Sequence, residues 1–172
     1  MERADAGTAL RPMAAADAPA LARIHREARA AAIPRLREPW GEPEVVAWIA
    51  AVPMTAPRRV ILAEAAGASG PAGYLGLEAA APSEVLHLYV APVWQRRGVG
   101  ARLLDAAKAA APPEGLALLC VRRNHGARAF YRRHGFRPIH RRDAAANEEG
   151  EPDVRLAWTP PAPPDRTRGA NA

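Results

Sequence analysis

Val90-Ala-Pro-Val-Trp-Gln-Arg-Arg-Gly-Val-Gly-Ala101 joins an apolar strand pattern to an apolar helix pattern. Residues Glu84 to Val90 read as a strand that enters a short turn through Pro92. Beyond the turn, Gln95-Arg96-Arg97-Gly98-Val99-Gly100 opens a helix whose apolar positions recur at Val99, Leu103, Leu104, Ala107 and Ala111. The first N–H groups of a helix have no partner within it, and the dipole favours negative charge there. Glycine allows a ligand close to the backbone, and the two arginines add positive charge. The stretch therefore reads as a grip for a phosphorylated cofactor; close packing of helix on strand is the other use two glycines could have. It is not a dinucleotide fingerprint, because position 103 is Leu where the third glycine would stand, and no Gly-Lys-Ser/Thr of a P-loop occurs.

The Gln95-x-x-Gly98-x-Gly100 spacing, preceded by Leu88-Tyr89-Val90-x-Pro92, resembles the acyl-CoA-binding motif of the GNAT superfamily of N-acetyltransferases. A second segment, Asn124-His-Gly-Ala-Arg-Ala-Phe-Tyr131-Arg-Arg-His-Gly-Phe136, is similar to the superfamily's other recurring segment. Read physically, it is a three-turn helix with Asn124 as N-cap, Gly135 at C′ and Phe136 packing back toward Tyr131. The matching patterns span roughly residues 84 to 138. The resemblance implies acetyl-CoA as acyl donor, held by Leu88, Tyr89 and Val90 and by Gln95, Arg96, Arg97, Gly98, Val99, Gly100 and Ala101. It also implies Asn124 beside the pantetheine arm, where capping the helix is its competing role. Tyr131 is the implied general acid at the CoA sulfur, with packing on Phe136 as the alternative.

Moving an acetyl group from a thioester to an amine requires a proton to leave the amine, the carbonyl oxygen to be stabilised, and the thiolate to be protonated. The resemblance puts this chemistry where two neighbouring parallel strands splay, here Glu84–Val90 and Leu116–Val121, with a backbone N–H near Val90 facing the carbonyl. Candidate bases are Glu84 at the strand start, His87 within it and Glu78 on the preceding strand; a water chain could replace a single base. A carboxylate partly buried at position 84 would be raised toward neutrality, and imidazole titrates near working pH. On a regular strand Glu84 and His87 face opposite sides, and a bulge would change that.

With 172 residues the chain fits one core, and no run approaches the roughly 20 apolar residues of a membrane span. The N-terminus lacks the layout of a secretory signal, and one cysteine, Cys120, excludes an intramolecular disulfide or a multi-cysteine metal site. The expected address is the cytoplasm, with no metal. The net charge is +6 and Lys108 is the only lysine. A basic chain attracts polyanions, yet abundant Ala, Arg, Gly and Pro together are what a GC-rich genome yields, and CoA phosphates would account for part of a cluster at Arg96, Arg97, Arg122 and Arg123. No aromatic-plus-basic platform for stacking bases appears, so nucleic acid is disfavoured as a partner.

Thr8–Met13 suits a first strand, and Asp17 is placed to cap a helix with apolar stripe Leu21, Ile24, Ala28 and Ala31. Prolines 34, 39 and 43 break the next stretch before a short helix at Glu44–Ala51. Strands follow at Val60–Ala65, Gly73–Ala80 and Glu84–Val90, then the helix halted by Pro112-Pro113, a strand at Leu116–Val121, the Asn124 helix, and a closing antiparallel pair at Phe136–His140 and Asp153–Trp158. The order β-α-α-β-β-β-α-β-α-β-β implies an α/β fold with a mixed, mostly antiparallel central sheet and helices on both faces. The domain is expected to span residues 8–158, with a disordered Pro-rich tail at 159–172.

The acceptor would be walled by residues 33–44 and by the loop carrying Asp143, Asn147, Glu148, Glu149, Glu151 and Asp153. That acidic cluster either attracts a cationic amine (a polyamine, aminoglycoside, lysine or protein N-terminus) or merely keeps a hairpin loop soluble. Trp40 and Trp48 either line the groove or pack in the core. The favoured function is transfer of acetyl from acetyl-CoA to a small-molecule or protein amine in a ternary complex. The alternatives are a noncatalytic acyl-CoA-binding regulatory module and an acetyltransferase acting on charged tRNA. Pairing as a homodimer is implied by analogy alone.

Overall fold

The computed structural model describes residues 7–38, 40–51, 58–146 and 150–161. Its elements are β1 (Ala9–Pro12), α1 (Ala18–Ala32), α2 (Glu42–Ala51), β2 (Arg58–Glu64), β3 (Gly73–Glu78), β4 (Ser83–Val90), α3 (Val99–Ala109), β5 (Leu116–Val121), α4 (His125–Arg133), β6 (Arg137–Arg142) and β7 (Asp153–Trp158). This is the order read from the sequence. One sheet of seven strands runs β1-β2-β3-β4-β5-β7-β6, and β4–β5 is its parallel pair, the other neighbours being antiparallel. The last strand therefore lies inside the sheet, between β5 and the edge strand β6.

The period-2 pattern of the strands separates two cores. One face of the sheet gives Leu75, Leu77 and Val85 to Leu103 and Leu104 of α3 and to Phe136. The other gives Val60, Leu62 and Tyr74 to Leu21 and Ile24 of α1 and to Val45 and Ile49 of α2. Helices thus cover both faces.

Besides small shifts in strand bounds, several local details differ from the sequence reading. Asp17 makes no cap bond to α1; its carboxylate accepts from the Ala14 N–H at 2.8 Å and pairs with Arg11 at 2.7 Å. Ala31 is exposed, because α1 ends at Ala32 and its buried stripe stops at Ala28. Pro43 lies inside the first turn of α2, where the missing N–H costs no hydrogen bond. Helix α3 ends at Ala109, ahead of Pro112-Pro113, which leaves Ala111 beyond it. Of the proposed tail, residues 159–161 carry no regular structure and residues 162–172 lie outside the described residues. No helix among the described residues is long and apolar enough to cross a membrane.

Candidate active site

The parallel pairing of β4 with β5 covers only Ser83–Leu116 and Glu84–Ala117. Past that point the two strands diverge and open a cleft of about 2010 Å³. The Ala91 N–H bonds the Ala72 carbonyl on the β3 side. By alternation the Val90 N–H and C=O face the opposite edge, where the pairing with β5 has ended.

The α3 end of the cleft is built from the turn residues. Pro92–Trp94 form a single 3-10 turn, and the Gln95 side-chain amide donates to the Val90 carbonyl at 3.1 Å. Arg96 adopts a left-handed φ of 63°, and Gly98 one of 90° at the helix N-cap. A Cβ on Gly98 would meet no neighbour within 4 Å, so the glycine answers to backbone conformation and its surroundings are open. The first α3 amide to find a carbonyl at this end is Arg102, which bonds Gly98 at 3.0 Å. That leaves the Val99, Gly100 and Ala101 N–H groups without helical partners, with no side-chain cap and no acidic residue in the first turn. This donor set, next to Arg96 and Arg97, suits an anionic phosphate ligand. Arg97 also lies over the Trp94 ring at 5.2 Å.

Most of the anticipated donor-site residues line the cleft, including Leu88, Gln95, Arg96, Gly98, Gly100 and Ala101. Val99 does not; its side chain is in the core at 1% exposure. Arg122 and Arg123 do not join the arginines at 96 and 97 on the cleft wall, and Arg123 is held by Glu151 at 2.6 Å.

The opposite wall is α4. Asn124 accepts from the Ala127 N–H through its side chain at 3.0 Å, the capping role. At the other end Gly135 has φ 84°, its N–H bonds Arg132 O, and the Phe136 N–H bonds Tyr131 O, the Schellman arrangement. The Tyr131 ring packs against Phe136 and Phe130 at 5.5 and 5.3 Å, and the residue lines the cleft. Burial pushes its phenol well above the ordinary range, so it is a protonated donor at neutral pH.

The third wall departs from the regular-strand expectation. Gly76 aligns with His87 but Leu77 aligns with Val85, so β4 carries one extra residue, Leu86. Partners of Glu78, Gly76 and Tyr74 on one face of β3 are Glu84, His87 and Tyr89, which the bulge thereby puts on one face. Sharing a face does not bring Glu84 and His87 into contact. Glu84 pairs with Arg155 at 2.6 Å and does not line the cleft. Glu78 pairs with Arg58.

His87 instead enters a ring cluster with His25 of α1, Trp48 of α2, Tyr74 and Tyr89. Its centroid lies 4.4 Å from Trp48 and 5.8 Å from His25, while His25 Nδ1 is 3.3 Å from the Tyr74 hydroxyl. Gly76 leaves room for the ring, since a Cβ there would sit 3.4 Å from His87 Nδ1. Burial, then His25 and the charges of Arg29 and Arg58, push His87 down to about 3; burial and Arg29 push His25 down to about 4. Both imidazoles are neutral at pH 7. His25 escaped sequence reading because it sits within an alanine- and arginine-rich helix; its place one residue after Ile24 on the buried stripe was the available signal.

Of the acidic loop's described carboxylates, Asp143 is exposed and the other two are engaged by arginines. Glu151 is held by Arg123, and Asp153 by Arg142 through two bonds of 2.9 and 2.8 Å. Asn147, Glu148 and Glu149 lie outside the described residues. Among the described residues no group of three or more His, Cys, Asp or Glu is arranged to hold a metal ion.

The profile of the acetyltransferase (GNAT) domain matches residues 56–138 of the chain. Among solved structures, the chain resembles the PaiA N-acetyltransferase of Thermoplasma acidophilum in complex with coenzyme A, at 16% identity and TM-score 0.66 over 88% of this chain and 99% of that one. It resembles the ribosomal-protein-S18-alanine N-acetyltransferase of Escherichia coli at 19% identity and TM-score 0.69, over 92% and 97% of the two chains. An acetyltransferase from Thermus thermophilus aligns at 23% identity and TM-score 0.69, over 89% and 97%. Likeness at such identities establishes the fold. No curated protein matches the chain by sequence. Residues 56–138, which hold both motif segments, thus match the acetyltransferase (GNAT) domain, and the chain shares the fold of GNAT structures along most of its length.

Proposed function

We propose that residues 8–158 form an N-acetyltransferase that moves the acetyl group of acetyl-CoA directly to a primary amine in a ternary complex. The observation that carries this reading is the divergence of β4 from β5 beside the uncapped start of α3. The free amides of Val99, Gly100 and Ala101, with Arg96 and Arg97, would hold the donor's phosphates. The Val90 N–H would face the thioester carbonyl as its oxygen becomes anionic. The amine nitrogen forms a bond to the carbonyl carbon and the carbon–sulfur bond breaks. Tyr131 gives its phenol proton to the departing sulfur and regains one from solvent as CoA leaves.

The proton lost from the amine leaves on the α1–α2 side, past His87 and His25. The same burial and the same Arg29 charge that keep these imidazoles neutral penalise any cation at that spot. An ammonium reaching the floor of the cleft is therefore pushed toward the neutral, nucleophilic amine, and a neutral imidazole can accept its hydrogen bond. Glu84, engaged by Arg155 away from the cleft, has no part in this scheme.

The test is unfolding temperature against acetyl-CoA, CoA and ATP at fixed salt, followed by release of CoA thiol with an amine panel. Saturable stabilisation by acetyl-CoA and not by ATP, with amine-dependent thiol release, is the expected result; ligand at a hundred times its Kd adds about 2.7 kcal/mol. Stabilisation without turnover by any amine would mark a noncatalytic acyl-CoA-binding module. No shift with any acyl-CoA would overturn the reading.

A further inference from the structure

We infer that the acceptor is a monoamine bearing a planar apolar group, which stacks on the exposed surface of Trp48 while its amino group reaches His25 and His87. The inference rests on the acetyl-transfer reading and names the substrate class for that site.

Among the described residues five large hydrophobic side chains are exposed, and three of them, Trp40, Trp48 and Leu119, line the cleft. A large side chain left in solvent beside a cleft is a surface that a ligand can cover. Trp48 is 45% exposed although its helix is anchored in the core by Val45 and Ile49, so its exposure is not that of a loose helix. Its indole centroid lies 4.4 Å from that of His87 at a tilt of 56° and 6.2 Å from that of His25 at 78°. The platform is thus held in place by buried rings, and the amine-handling imidazoles adjoin it. A ligand spanning the two needs a flat body and a short arm ending in nitrogen.

Charge selects against the polycations that the acidic loop first suggested. The cleft floor holds Arg29, whose side chain is 13% exposed and whose Nε bonds Glu38 at 3.2 Å. Glu151 and Asp153 are engaged by arginines. A single amine can shed its proton beside the imidazoles, whereas each further charge of a polycation needs a carboxylate; of those lining the cleft Glu38 and Asp153 are already bonded to arginines, which leaves Glu44 and Asp105. Aromatic stacking beyond simple area burial adds to the preference for a planar group.

The experiment compares 2-phenylethylamine, n-butylamine and spermidine as acceptors with saturating acetyl-CoA, in the native chain, Trp48→Ala and Trp48→Phe. It adds a fluorescence titration of 2-phenylethylamine without donor. We expect kcat/KM for 2-phenylethylamine to exceed that of n-butylamine by about tenfold and spermidine to be the poorest. Trp48→Ala should raise KM for 2-phenylethylamine about tenfold and bring the two monoamines together, while Trp48→Phe restores most of the difference. The amine should quench tryptophan emission in the native chain and not in Trp48→Phe. Equal use of the two monoamines, preference for spermidine, or a ratio untouched by Trp48→Ala would overturn the inference with acetyl transfer intact. Failure of acetyl-CoA to stabilise the protein would overturn acetyl transfer, and the donor-free titration would still decide whether Trp48 binds the amine.

Discussion

The side-chain amide of Gln95 donates to the backbone carbonyl of Val90 at 3.1 Å, tying the turn before α3 to the last residue of β4. Under the acetyl-transfer proposal, Gln95 acts on the donor site by fixing the relation between the β4 edge and the open helix end. Removing the amide in Gln95→Ala should cost about 1 kcal/mol of stability or less, since the bond is exposed. The Kd for CoA, measured by calorimetry, should rise about tenfold as the Gly98–Ala101 amides lose their fixed aim.

The two motif glycines should respond differently to alanine. Gly98 holds φ 90°, so Gly98→Ala should destabilise by about 1–2 kcal/mol in denaturant unfolding even though the space around it is open. Gly100 lies inside α3, where a Cβ would sit 3.5 Å from Val90 Cγ2, an ordinary contact. Gly100→Ala should leave stability unchanged or raise it by up to about 1 kcal/mol.

Stability should fall as the solution is acidified from pH 6.5. His25 and His87 ionise near 4 and 3 in the native state against an ordinary value of 6.5. Between those limits the unfolded chain binds protons that the native chain refuses, so unfolding gains about 1.4 kcal/mol per pH unit for each imidazole. The stabilisation is complete above pH 6.5 and is lost as pH descends toward the native values. Urea unfolding at pH 7, 6 and 5 should show the decline, and His87→Gln should reduce its slope by about one imidazole's share.

Tyr131→Phe should preserve the fold while slowing the reaction. Its ring supplies the packing on Phe136 and Phe130, and phenylalanine keeps that ring. Unfolding free energy should change by less than about 1 kcal/mol. With loss of the proton donor, kcat should drop by a factor of about 10² or more while the acceptor KM stays level.

Glu84→Gln separates the strand-start carboxylate from catalysis. Glu84 is bonded to Arg155 and stands off the cleft, so turnover should stay within about twofold of the native chain and stability should fall by about 1 kcal/mol or less. A drop in kcat of about a hundredfold with unchanged stability would return Glu84 to the role of base.

Much of the architecture was legible because local signals agreed with tertiary demands. The strands at Leu116–Val121 and Asp153–Trp158 carry apolar runs bounded by Gly115, Asn124 and Pro152, and their bounds match the structure. The Asn124 cap and the Gly135 turn are formed as their residue types require. The boundaries that moved did so for local reasons a pattern does not weigh. Pro43 was read as a breaker although a first-turn proline is harmless, and Asp17 was read as a cap although Arg11, across the turn, is the stronger partner.

The site divides along the same line. Sequence alone determined the proposed donor end: Gln95 to Ala101 is contiguous, and the glycine φ, the uncapped helix start and the adjoining arginines are properties of a short stretch. Only the tertiary structure decided the proposed acceptor end. There His25, Trp48 and His87 come from α1, α2 and β4. They meet because one extra residue, Leu86, turns His87 to the face of Glu84 and Tyr89. A bulge shifts every side chain after it to the other face, and its position is set by how two strands pair, which no single strand's pattern contains. The pairing of Glu84 with Arg155, and of Glu151 and Asp153 with arginines, likewise depends on residues distant in the chain. Charge read along a sequence counts these carboxylates as free; the fold neutralises them.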